Sequence, residues 1–105
     1  MTQSGFKLYA IVNYATCGWC KKFKPVLESN LRAMNPRAQQ MVEVIELNTP
    51  EGKAKANSMG FSGGIPCLIG KKNGTEVYNK PGYQDGASFA NTLFTLFSTY
   101  AVSYT

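Results

Sequence analysis

At Cys17 the chain changes its hydrophobic period, and this change restricts the fold more than any other feature. Upstream, FKLYAIVNY (residues 6–14) is rich in β-branched and aromatic residues and predicts a mostly buried strand. From Cys17 onward, Cys20, Phe23, Leu27, Leu31 and Met34 recur every three or four positions, which predicts an amphipathic helix. Only Ala15 and Thr16 separate the two patterns. A buried strand must therefore turn almost directly into a helix, with Cys17 and Cys20 at the turn. Pro25 falls inside that helix and predicts a kink, and Asn35-Pro36 ends it.

The remaining segments extend the alternation. MVEVIELN (residues 41–48) mixes apolar and acidic positions and predicts a second strand. Thr49-Pro50-Glu51 then supplies a cap, a proline at the first helical position and an early acid for a short helix stopping at Gly60. IPCLIG (residues 65–70) predicts a third strand that opens on a proline, Lys72-Asn73-Gly74 a hairpin turn, and TEVYNK a fourth strand. After Pro81-Gly82, Phe89, Leu93, Leu96, Phe97 and Tyr100 mark a final helix. The order β-α-β-α-β-β-α predicts an α/β fold in which a four-stranded mixed sheet is flanked by three helices. The first two strands should be parallel and the last two a hairpin. Without repeats or linkers, residues 1–105 read as a single domain.

Composition narrows function. No apolar run approaches the roughly 20 residues that span a bilayer, so no membrane role is expected. The start of the chain has one lysine and a short apolar stretch, but Asn13 and Thr16 interrupt it and no Ala-x-Ala site follows. It reads as part of the mature protein, with a cytoplasmic location expected. Eleven basic residues against six acidic ones give a formal charge of +5. The lysines come in pairs, Lys21-Lys22 and Lys71-Lys72, without interleaved aromatics, which reads as a solvated face rather than a nucleic-acid surface. Histidine is absent, which excludes Cys–His and Ser–His catalysis and every histidine-bearing metal site.

Three cysteines are too few, and odd in number, for a secreted disulfide scaffold. Cys17 falls where unpaired backbone N–H groups and the helix dipole favour an anion, so its reactive thiolate should be stabilised. Lys21 and Lys22 add positive charge, and no carboxylate lies between Met1 and Lys24. Cys20, one turn further in, shares the buried stripe with Phe23 and Leu27. Residues i and i+3 face one side of a helix, so the two sulfurs can meet. We read the pair as a reversible redox couple, with Cys17 attacking a substrate disulfide and Cys20 resolving the mixed disulfide. A static disulfide and a metal site remain as other readings. A closed zinc or iron–sulfur site needs four ligands, and three thiols would require a carboxylate, an external thiol or a second subunit.

With these residues in hand, the chain resembles the thioredoxin superfamily over nearly its whole length. CGWCKKFKP is similar to the thioredoxin active site, with a lysine after the second cysteine and the proline within the helix. LNTPEGKAKANSMGFSGGIPCLI is similar to the second helix and Gly-Ile-Pro loop, and KKNGTEVYNKPG to the hairpin and its closing glycine. The resemblance implies a cis Ile65-Pro66 bond beside the active-site sulfurs, with the Ile65 backbone pairing to an extended substrate. It also implies a thiol–disulfide oxidoreductase acting on disulfide-containing proteins, recycled by a reductase or by glutathione. Such an enzyme is expected to be monomeric and to need no cofactor, because the sulfurs carry the electrons.

The departures are equally specific. Only one strand precedes Cys17, a short start that resembles glutaredoxin, and a glutathione-dependent activity is the alternative this implies. Gly18-Trp19 is neither the Gly-Pro of thioredoxins nor the Pro-Tyr of many glutaredoxins. Gly18 and Lys21 are accordingly assigned to tuning the thiols, and exposed Trp19 to substrate contact alongside Ile65 and Pro66. Where thioredoxins hold a buried aspartate before the motif, this chain has Ile11, Val12 and Asn13. Cys20 must then lose its proton by another route, and slow release of the mixed disulfide is expected. Cys67 follows the Ile-Pro pair where threonine is common. Strand alternation turns it inward as a small hydrophobe, with an auxiliary thiol, or a metal or cluster ligand together with Cys17 and Cys20, as alternatives. Tyr14, and less strongly Tyr83, should border the substrate groove. Asp85 is assigned to capping the last helix, although a similar acidic position contacts glutathione in glutaredoxins.

Overall fold

Each helix begins at a side chain that accepts a backbone N–H. In the computed structural model, which describes residues 5–101, α1 (Gly18–Ala33) is capped by the Cys17 sulfur, and α2 (Pro36–Gln39) by Asn35, which accepts from Ala38 N–H. Thr49 accepts from Gly52 N–H to start α3 (Pro50–Ser58), and Asp85 from Ser88 N–H to start α4 (Gly86–Tyr100). Pro25 lies within α1 without interrupting it, although its missing N–H removes the helical donor for the Lys21 carbonyl. The short α2 is an addition to the expected order. Asn35-Pro36 ends one helix and at once starts another, too short to leave a hydrophobic period.

Four strands, β1 (Phe6–Val12), β2 (Val42–Glu46), β3 (Cys67–Lys72) and β4 (Thr75–Pro81), form one mixed sheet in the order β2-β1-β3-β4. β1 runs parallel to β2 and antiparallel to β3, and β3 and β4 form a hairpin. Asn73 and Gly74 close the hairpin with φ of 53° and 85°, the left-handed pair that a tight two-residue turn requires. β3 starts at Cys67 rather than Ile65, because Pro66 has no N–H to offer the ladder, and it runs on to Lys72.

Alternation along the central strand divides the core. Phe6, Leu8, Ala10 and Val12 point to the face covered by α1 and α4, where they pack with Cys20, Phe23, Leu27, Phe89, Leu93 and Phe97. Burying each large side chain there stabilises the fold by roughly 1.5–3 kcal/mol. Ile11 points to the other face and meets Ile45, Cys67, Ile69 and Ala56 of α3. The close seating of α3 depends on Gly52, where an added Cβ would run into the carbonyl group of Glu46, a backbone group that cannot rotate aside. Gly52→Ala is therefore expected to lower stability by roughly 1–3 kcal/mol, read as a lower urea midpoint with an unchanged slope.

Candidate redox site

The site grows out of the end of the central strand. After Val12, the Asn13 side-chain oxygen accepts the N–H groups of Ala15 and Thr16 at 3.0 and 3.1 Å, and its carbonyl accepts that of Cys17 at 3.0 Å. This local turn converts strand to helix within four residues and delivers Cys17 to the helix start. In the sequence Asn13 reads as a break in the apolar start of the chain and as part of the segment where thioredoxins hold a carboxylate. Its role as the turn-maker follows from an asparagine placed between strand and helix.

Cys17 is partly buried, and its sulfur accepts the Cys20 N–H at 3.1 Å while its thiol donates to the Ile65 carbonyl at 3.8 Å. The cap thus points a backbone donor at the Cys17 sulfur. Cys20 is completely buried beneath it, and both residues are present as thiols. Burial, with a smaller contribution from the hydrogen bond to Cys17, pushes the Cys20 thiol up to about 11 from 9.0; a backbone hydrogen bond from Asn13 pulls the other way. No carboxylate is among the main causes of that shift.

Strand register brings the second half of the site alongside. Cys67 lies opposite Ile11, so the two residues before it reach the loop that leaves β1. The Ile65–Pro66 peptide is cis, and the Pro66 carbonyl accepts the Gly82 N–H at 2.7 Å. Trp19, Ile65, Pro66, Gly82 and Tyr83 line a hollow of about 300 Å³ next to the thiols. Trp19 is 57% exposed. Its ring lies 5.4 Å from that of Tyr83, which in turn packs edge-on against buried Phe23. Beyond Tyr83 a second, more polar hollow is lined by Lys80, Gln84, Asp85 and Ser88 among others.

Several expected assignments move. Tyr83, the weaker candidate in sequence, lines the hollow. Tyr14 does not, since its backbone N–H bonds to Asn48 and its ring receives Lys24. The lysine at the hollow is Lys22, whose ammonium stands 5.1 Å from the centre of the Trp19 ring and 5.9 Å from that of Tyr83. Lys21 is exposed, and its backbone N–H donates to the Cys17 carbonyl. Gly18 is exposed at the first helical position, and a Cβ there would meet open space. Asp85 accepts the Ser88 N–H at 2.8 Å, a bond that also holds its carboxyl below the usual carboxylate range, in keeping with a cap.

Cys67 is 3% exposed on the α3 side of the sheet, whereas Cys20 belongs to the α1 and α4 side. The three sulfurs therefore do not converge. Among the described residues, no group of three or more histidine, cysteine, aspartate or glutamate side chains is placed to hold a metal ion. The Cys67 thiol donates to the Asn79 side-chain oxygen at 3.5 Å, and burial, more than the nearby Glu76 charge, pushes its pKa up. Cys67→Ala is expected to leave the reactivity of the other two thiols within about twofold, because its sulfur is buried on the opposite face of the sheet from Cys20 and a methyl group keeps the packing there apolar. In the native wild-type protein, a bulky aromatic disulfide reagent should modify Cys67 only after denaturant is added.

A scan against protein-family models gives no match, and neither does a search of curated protein sequences. Among solved structures the likeness is extensive. A mutant thioredoxin from Halobacterium salinarum is 24% identical, with 94% of this chain and 77% of that one covered at a TM-score of 0.61. Trxlp from Edwardsiella tarda is 22% identical over 85% of this chain and 82% of that one, at 0.61. Fasciola hepatica thioredoxin is 13% identical over 93% and 83%, at 0.65. The chain has a thioredoxin-like fold.

Proposed function

We propose that the protein is a thiol–disulfide oxidoreductase that reduces disulfides in other proteins with the Cys17–Cys20 pair. Cys17, as thiolate, attacks one sulfur of the substrate disulfide. A Cys17–substrate disulfide forms, the substrate bond breaks, and the departing sulfur leaves as thiolate and takes a proton. Cys20 then loses its proton and attacks Cys17. The Cys17–Cys20 disulfide forms, the second substrate thiol leaves, and two electrons have passed to the substrate.

The observation that supports this most directly is the placement of Cys17. Its sulfur caps a helix start within reach of the Cys20 N–H and the Ile65 carbonyl, with a second, buried thiol one turn behind. An exposed aromatic residue and an adjoining hollow give an extended substrate somewhere to lie. The Ile65 backbone is the strand-like partner for that segment, with Trp19, Pro66 and Tyr83 as its side-chain contacts.

Working as a monomer in the cytoplasm, such a protein would be recycled by a reductase or by glutathione. No helix of the described residues is long and apolar enough to cross a membrane. The test is catalysis of insulin disulfide reduction with a dithiol donor, run beside reduction of a glutathione mixed disulfide. Turnover of insulin with little on the glutathione adduct fits the proposal. The reverse order would favour a glutaredoxin-like activity, and no reaction with either would sink both.

A further inference from the structure

The hollow beside the thiols is apolar, but its rim is not. Lys22 follows Trp19 by three positions on α1, so the two side chains share a helix face. The ammonium stands over both Trp19 and Tyr83, at 5.1 and 5.9 Å from the ring centres. A cation over an exposed aromatic face gains roughly 0.5–1 kcal/mol, enough to favour one position for a side chain that would otherwise wander. Among the described residues Lys22 makes no ion pair, whereas its neighbour Lys24 faces Glu28 at 3.9 Å. Lys21 is exposed next to it, and Lys80 lines the adjoining hollow. The carboxylate that lines that hollow, Asp85, already accepts the Ser88 N–H at the start of α4. A cation is thus held at the edge of the substrate hollow with its carboxylate partner still to come.

We propose that this surface selects disulfide partners that carry an acidic side chain beside an apolar one near the attacked cysteine. The apolar side chain fills the hollow between Trp19, Pro66 and Tyr83, and the carboxylate meets Lys22. The inference rests on the redox reading above and names the substrate class of the same site. Because the pair is exposed, its strength depends on salt. Screening acts over about 10 Å at 0.1 M ionic strength and about 3 Å at 1 M.

The probes are symmetric disulfide dimers of a short capped peptide. Each has a leucine and one variable residue, Glu, Gln or Lys, before its single cysteine, so both sulfurs have the same surroundings. The rate constant with pre-reduced protein is divided by that with dithiothreitol, which removes differences in the disulfide itself. Wild-type protein should favour the Glu peptide over the Lys peptide by roughly fivefold to twentyfold at low salt, falling toward unity at 1 M salt. Lys22→Gln should shrink the ratio and Lys22→Glu invert it. Taking the ratio of two peptides cancels any effect of the substitution on the Cys17 thiolate. Equal rates for the three peptides or a preference for Lys would overturn acidic selection, and an order unchanged in Lys22→Glu would overturn the assignment of that selection to Lys22, in each case leaving disulfide reduction intact. If no form of the protein reduces any peptide, the redox reading itself fails, and this inference with it.

Discussion

Cys17→Ser is expected to reduce disulfide turnover to the uncatalysed background, whereas pre-reduced Cys20→Ser, with no thiol donor present, should react once and then stop. The two outcomes differ because the two thiols are placed differently. Cys17 is partly exposed beside the Ile65 carbonyl, so a substrate sulfur can approach it. A serine hydroxyl there is not a nucleophile toward sulfur, so the first exchange is lost. Cys20 is fully buried and has no access to substrate, so its removal spares that first exchange. The Cys17–substrate disulfide then has no internal thiol to break it. Mass spectrometry of Cys20→Ser after mixing with an oxidised protein should show a covalent adduct that dithiothreitol releases. Cys17→Ser should show none. An adduct on Cys20 in Cys17→Ser would reverse the assigned roles, and turnover by Cys17→Ser would remove that thiol from the mechanism. Phe23 and Phe89 pack under both sites, and Cys→Ser changes volume little, so neither variant should lose its fold.

Much of this site is legible in the sequence, for reasons that can be traced to particular residues. The step from FKLYAIVNY to the Cys20-Phe23-Leu27 stripe fixes where strand becomes helix, and that alone puts Cys17 at a helix start. Thr49-Pro50 and Asp85 mark two further starts that the structure retains. What escapes the sequence is mostly pairing in space. The ranking of Tyr83 below Tyr14 reverses because β4 ends beside Pro66, a fact of register rather than of local pattern. The same holds for Cys67: alternation correctly turns it inward, but only the sheet order shows that inward means the α3 face, away from Cys20. The two lysines at 21 and 22 look equivalent in the chain. Helical spacing from Trp19 separates them, since three residues bring Lys22 over the ring while two leave Lys21 off that face.

The slowest expected step is the second exchange, and its pH dependence follows from the surroundings of Cys20. Burial is the main reason that its thiol titrates near 11, and burial persists when Cys17 is tied up in a mixed disulfide. The contributions of Cys17 itself, a hydrogen bond and a charge, change at that moment, while the backbone hydrogen bond from Asn13 still favours the thiolate. With no carboxylate among the main influences on the thiol, water or hydroxide is the expected proton acceptor. Well below a thiol's pKa the thiolate fraction rises about tenfold per pH unit, so release from a preformed Cys17 adduct should accelerate roughly a hundredfold between pH 7 and 9. Stopped-flow measurement on an adduct made with a neutral peptide isolates this step from the first attack. A rate that is flat over that range would mean that another group removes the proton. The same shift has the opposite sign for stability. The folded state holds the Cys20 proton more tightly than a free thiol near 9.0, so this contribution is complete below pH 9 and is lost as pH rises toward 11. Tyr14, pushed up to about 12 from 10.0 mainly by burial, acts in the same direction at still higher pH. Faster resolution and a weaker fold should therefore appear together above pH 9, and Cys20→Ser should keep more of its urea resistance there than the wild-type protein.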